Sequence, residues 1–251
     1  MTDIKIDDNP MIVGKLETAK SSLPQTLYMK HGIINKFPSL TLIVGRSGSG
    51  KSNLAAWMLT HNEFMGGFFD DIYLFSATAR ADDLVEHLKL DDKHICDDLS
   101  MFAVDKLRDI ISVQDAKIKK KGIKSVALDS KILIICDDCI SEKAFIKSDI
   151  LIKLATAGRH SLISTMICSQ SYTKVPRVVR LQSQGLVLFP SSNDELELLN
   201  QDICPPGASK RDFLELIKHA TADEHNFLFV NQHAVPKSDK FRKNFDTILN
   251  I

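Results

Sequence analysis

The stretch Gly45-Arg46-Ser47-Gly48-Ser49-Gly50-Lys51-Ser52 spells G-x-x-x-x-G-K-S, the spacing of a phosphate-binding P-loop. Each residue type has a physical reason to be there. The glycines open backbone conformations closed to other residues, so successive N–H groups can converge on phosphate oxygens. Arg46, Ser47 and Ser49 fill the variable positions. Lys51 supplies a mobile cation for the β- and γ-phosphates, and Ser52 a hydroxyl ligand for Mg²⁺. The apolar run Leu40–Val44 precedes the loop and the helical run from Asn53 follows it, so a helix N-terminus adds its partial positive charge. Alone, the loop predicts phosphate binding and no particular reaction.

Hydrolysis also needs a carboxylate on the metal, a group that orients water and a cation on the γ-phosphate. Candidates for all three are present. Asp137 follows the apolar run 131–136, and a carboxylate at the C-terminal tip of a buried strand faces the ligand crevice of an open α/β sheet. That is the Walker B arrangement, with Asp137 as the Mg²⁺-side acid. Asp138 comes next, where it can polarise the attacking water. Gln170 ends the following strand. If that strand lies between those of the P-loop and Asp137, the amide meets the γ-phosphate; Ser169 competes for the role. Arg159 follows Gly158 and is a candidate arginine finger acting on a neighbouring subunit, with Arg177 and Arg180 as alternatives. His160 and Cys139 read as structural.

The elements that must position these residues follow from periodicity. Strands are expected at 40–44, 71–76, 131–136, 161–170, 185–189 and 226–231. Helices are expected at 51–61, 102–120, 141–157 with Gly158 as C-cap, 195–199 and 208–220, and a closing helix in the tail 241–251. Segment 77–100 reads as surface helix and loop. Alternation of strands and helices predicts an α/β fold with a mainly parallel sheet. Residues 1–37 lack periodicity and read as an arm or subunit contact; residues 38–251 read as one ATPase domain.

Composition bounds the partners. Acidic and basic residues balance at 32 each, so no global charge draws the chain to nucleic acid or an anionic membrane. A DNA contact would have to be local, or shared by several subunits. The lysine run 117–121 reads first as a solvated helix end, and second as such a contact. No apolar run spans a bilayer and the N-terminus is not a signal peptide, so an intracellular chain without membrane insertion is expected. Five cysteines without framework spacing read as reduced thiols, Cys136 and Cys168 being buried in strands.

Taken in order, the P-loop, Leu133-Ile134-Ile135-Cys136-Asp137-Asp138-Cys139, Ala157-Gly158-Arg159-His160 and the strand ending Ser169-Gln170 resemble the poxvirus-type genome-packaging ATPases of large double-stranded DNA viruses and virophages, within the FtsK–HerA superfamily. The similarity covers about residues 38–190. It implies a RecA-like P-loop NTPase with helices on both faces of the sheet, using ATP and Mg²⁺. It further implies a motor acting on double-stranded DNA, a homo-oligomeric ring of five or six subunits with shared active sites, a capsid or portal vertex as partner, and an intracellular viral assembly site. Two other classes share a P-loop. A small-molecule P-loop kinase would usually carry an Arg-rich lid, whereas 77–100 holds only Arg80. A nucleotide-regulated switch of the GTP type would need an N-K-x-D element after a later strand, and none is present.

Overall fold

The computed structural model describes residues 37–62, 64–79 and 83–251; the arm expected over 1–37 lies outside them except for Phe37, as does Arg80. The fold grows from continuous apolar strands. β1 (Leu40–Val44), β4 (Ile132–Asp137) and β5 (Ile163–Ser169) are buried along their whole length, as strands covered on both faces must be. With β2 (Asp71–Phe75), β3 (Ile95–Cys96) and β6 (Gly185–Leu188) they form the parallel run β3-β2-β4-β5-β1-β6. β7 (Leu228–Asn231), β8 (Phe241–Lys243) and β9 (Thr247–Leu249) extend that sheet antiparallel.

Alternate residues of each strand enter two cores. Leu42, Ile134 and Ile167 face one side, against α3 (Met101–Lys121), α6 (Ile150–Ala157), α8 (Asn193–Ile203) and α9 (Lys210–Ala220). Ile43, Ile135 and Met166 face the other, against α1 (Lys51–Thr60) and α2 (Asp83–Leu88). Helices therefore cover both faces, and the α/β architecture of a P-loop NTPase is present. α4 (Ile123–Asp129), α5 (Lys143–Lys147) and α7 (Arg177–Gln182) complete the connections.

Four local expectations are corrected or refined. The tail is not a helix but the hairpin β8–β9. Phe241 and Phe245 share the spacing of a helix face, yet the open edge of β7 offers ladder bonds and buried sites against Phe213, Phe227 and Phe229. The helix expected over 141–157 is broken at Ser148, whose hydroxyl donates to the Phe145 carbonyl while its backbone is extended. Gly158 is the C-cap of α6, its N–H on Leu154 O, but it is not left-handed: its φ is −52°, it opens a 3₁₀ turn through Ser161, and Leu162 takes the left-handed conformation instead. Finally, the 77–100 segment contains the short strand β3, too brief to show a period.

The candidate active site

Parallel strands deliver their C-terminal tips to one edge of the sheet, so residues distant in sequence meet there. β5 lies between β1 and β4. The loop after β1 therefore faces Asp137 and Asp138 after β4 and Gln170 after β5. Ser47, Gly48, Gly50, Lys51, Ser52, Asn53, Thr78, Asp137, Asp138 and Gln170 all line one cleft of ≈ 480 Å³.

The loop's geometry fits a phosphate cradle. Gly48 and Gly50 are left-handed, with φ of 76° and 98°. At Gly45 a Cβ would lie 2.4 Å from Ser49 Oγ and 2.8 Å from Phe189, so the chain must pass there without a side chain. The Gly45 N–H donates to Ser169 O (3.1 Å), fixing the loop to the neighbouring strand. Lys51 is buried and its Nζ donates to the Arg46 carbonyl across the loop (3.1 Å). The Arg46 and Ser47 side chains are exposed at its rim.

The acids differ in setting. Asp137 is 8% exposed at the tip of β4. Asp138 leaves the strand in the left-handed conformation (φ 51°), with its N–H on Cys168 O (3.0 Å). Such backbone costs on the order of 1–3 kcal/mol at a non-glycine residue and persists where its surroundings hold it. Gln170 Nε2 donates to Asp138 Oδ2 at 2.6 Å, the contact that joins the two strand tips. Ser169, by contrast, is buried and donates to Ser171 O (2.9 Å) within its own turn.

A buried ionic network holds the loop that carries Gln170. Arg180 Nε reaches Asp202 Oδ2 (2.8 Å), Arg180 Nη1 reaches Val175 O (2.9 Å), and Tyr172 OH donates to Asp202 (3.2 Å). The Tyr172 N–H is taken by Glu195 (2.8 Å), which also closes the capping box of α8. Burial, followed by the Asp202 charge, pushes the Tyr172 phenol well above its usual range, so it remains a donor. Arg180, named above among the finger candidates, is thus committed inside its own subunit.

Arg159 and Arg177 are exposed. Arg159 precedes β5, whose far tip bears Gln170, so about 20 Å of strand separates it from the cleft of its own subunit. The Cys139 and Cys168 thiols are buried. Cys139 Sγ donates to Phe75 O (3.1 Å), and burial raises both Cys139 and Cys168 well above ordinary thiols. Lysines 119–121 are exposed at the end of α3, and Lys117 Nζ donates to Ser130 Oγ (3.1 Å).

The sequence profile of the Poxvirus A32 protein family matches residues 29–247. The chain belongs to that family. No curated protein matches it. Among solved structures, it is similar to the genome packaging NTPase B204 from Sulfolobus turreted icosahedral virus 2, in complex with sulfate. That match has 14% identity and a TM-score of 0.54, covering 86% of this chain and all of that one (100%). It is also similar to the cytoplasmic domain of the type VII secretion ATPase EccC from Thermomonospora curvata, at 14% identity and a TM-score of 0.55, covering 78% of this chain and 24% of that one. The ATPases 2 and 3 of EssC from Geobacillus thermodenitrificans give 14% identity and a TM-score of 0.52, over 77% and 38%. At such identity these likenesses speak for the fold. Together with membership of the A32 family, they make the chain a P-loop ATPase of the viral packaging type.

Two cleft residues, Asn53 and Thr78, lie outside the sequence-derived candidates. Thr78 follows β2, the strand beside β4, and its N–H rests on the buried Ser76 hydroxyl (3.3 Å). The signal was available: polar Ser76 and Thr78 directly follow an apolar strand, as Asp137 does.

Proposed function

We propose that the chain is the ATP-driven translocase that packages viral double-stranded DNA into a capsid, working as a homo-oligomeric ring of five or six subunits at a portal or vertex. The observation that carries this reading is the Gln170–Asp138 bond at the tip of adjacent strands, beside the phosphate loop of an A32-family chain. It joins the group suited to activate water to a group suited to sense the γ-phosphate. The similar NTPase B204 has been solved in complex with AMP, which supports an adenine nucleotide in this cleft.

Each residue then has a role. The loop's N–H groups and Lys51 hold the β- and γ-phosphates, and Lys51 exchanges the Arg46 carbonyl for phosphate as it does so. The Ser52 hydroxyl and the Asp137 carboxylate line the same cleft and offer oxygen only, the donor set that suits Mg²⁺. Bound there, Mg²⁺ would neutralise charge developing on the transferred phosphoryl group. Asp138 has one carboxylate oxygen on Gln170 and one left to orient water in line with the γ-phosphate. Gln170 can leave Asp138 for the γ-phosphate and return after cleavage, so the occupancy of the site is relayed to its loop. Arg159, remote from its own cleft, supplies the cation to a neighbour.

DNA-stimulated ATP hydrolysis is the deciding measurement. Turnover should rise several-fold with double-stranded DNA, and the Arg159→Ala subunit mixed with a Lys51→Ala subunit should regain activity at shared interfaces. Hydrolysis indifferent to DNA, with phosphate passed to a small acceptor, would overturn the motor. Failure to complement at every mixing ratio would remove Arg159 from the neighbour's site.

A further inference from the structure

The catalytic groups all come from one flank of the phosphate loop. In the order β4-β5-β1-β6-β7, the acids and Gln170 stand on the β4/β5 side of β1. A triphosphate whose γ-phosphate meets them must carry its nucleoside away from that side. The opposite flank is built by β6 and by the segment entering β7, which runs antiparallel and so starts at the cleft edge.

That segment places His225 against the loop. His225 is left-handed (φ 63°), and its Nδ1 lies 3.3 Å from the Ser49 carbonyl and 3.5 Å from where a Cβ on Gly50 would stand. A carbonyl only accepts, so Nδ1 carries the proton. In the neutral ring Nε2 is then the acceptor. The side chain is 62% exposed, and Nε2 lies 3.7 Å from Glu224 Oε1, longer than a hydrogen bond.

The segment itself is tied down by the β8–β9 hairpin. Asn244, also left-handed (φ 55°), gives its N–H to Phe227 O (2.9 Å), accepts from the Phe227 N–H (3.2 Å) and donates to Asn226 Oδ1 (3.1 Å). Lys243 Nζ holds Asp223 Oδ2 (3.0 Å), a contact that lowers the Asp223 carboxyl below its usual range. These bonds fix the turn on which His225 stands, and the Ser49 carbonyl meets its Nδ1, so the ring is positioned before any ligand arrives.

We infer that His225 reads the base of the nucleotide: Nε2 accepts a hydrogen bond from the exocyclic amine of adenine. A base with a carbonyl at that position, guanine or hypoxanthine, presents acceptor to acceptor and is disfavoured. The C-terminal hairpin is then the buttress of the base site. This rests on the reading of the cleft as an ATP site.

The test compares ATP with inosine triphosphate, in which a carbonyl replaces the 6-amine and N1 carries a proton, on the full chain. Wild type should favour ATP by about tenfold in kcat/KM, the value of one hydrogen bond and the clash that replaces it. His225→Asn tolerates the left-handed turn but is too short to reach the base. It should raise KM for ATP about tenfold and move inosine triphosphate by less than twofold, bringing the ratio near one. His225→Gly, which keeps the turn by another route, should do the same. A wild type that does not discriminate overturns the inference, as does a variant that weakens both nucleotides equally, since His225 would then only brace the loop. Nucleotide binding lost in Lys51→Ala with the ratio unmoved in His225→Asn sinks this inference alone. No binding of either nucleotide by wild type sinks the ATP reading with it.

Discussion

The two flanks of the phosphate loop solve the same positioning problem with different interactions. On the β4/β5 flank, charged and amide side chains stand at strand tips, and the loop behind Gln170 is anchored by the buried Tyr172–Arg180–Asp202 network. On the β6/β7 flank the tilted and edge-on rings Phe189, Phe227 and Phe245, the Asn226–Asn244 amide contacts and the Lys243–Asp223 pair do the anchoring. A buried ion pair holds the side where charge must move; rings, amides and the solvent-facing Lys243–Asp223 pair hold the side where a neutral base would rest. The difference predicts separable failures: damage to the first flank should stop turnover, and damage to the second should loosen the nucleotide and the edge of the sheet.

The largest effect should come from Asp138→Asn. Asparagine is isosteric and tolerates the left-handed backbone at this position, so the turn at φ 51° survives. Only the charge that activates water is lost. Turnover should fall by about 10²–10⁴-fold, the usual contribution of a general base, while ADP binding stays within a few-fold of wild type. Rapid-quench hydrolysis and ADP titration check both parts. Turnover within tenfold of wild type would move the catalytic role elsewhere and end the division between the flanks.

Next is the anchor of the first flank. Asp202→Ala leaves the Arg180 guanidinium, 7% exposed, without its carboxylate. Removing one partner of a buried pair costs about 3–5 kcal/mol, because the remaining charge stays buried. Urea unfolding should show a loss of that order, with kcat falling further than KM rises as the Gln170 loop loosens. A loss below about 1 kcal/mol would mean that water reaches the guanidinium and that the network is peripheral.

The flanks were also unequally legible. Glycine and lysine spacing announced the loop, and apolar runs ending in Asp137 and Gln170 announced the first flank, because a strand's tip is fixed by the strand's own composition. The strand order that brings those tips together is set by long-range pairing, such as Ile134 with Thr165 and Leu42 with Ile167, and the P-loop and acid motifs restrict it without stating it. The second flank was mostly hidden. Phe241 and Phe245 carry a helical spacing that tertiary pairing overrides, so a segment that reads as a helix folds as a hairpin. His225 sits in a polar segment with no motif, and only the antiparallel entry of β7 places it at the loop. Thr78 is legible by the same rule as Asp137, a polar residue just beyond an apolar strand, but no motif marks it.

The smallest expected effect also discriminates most finely between the two ways of holding a flank. Asn244 contributes through its backbone conformation and through its amide, and two substitutions separate these. Asn244→Ala keeps a Cβ at φ 55° and loses both side-chain bonds, for a cost of about 2 kcal/mol. Asn244→Gly loses the same bonds but is at ease in the left-handed region; it costs about 1 kcal/mol, part of it through the freer unfolded chain. Glycine should therefore be the milder change, the reverse of the order at an ordinary position. Chemical denaturation of the two variants decides it. If alanine were the milder, the turn would not hold its left-handed geometry in solution, and the hairpin would have no means of fixing the segment that bears His225.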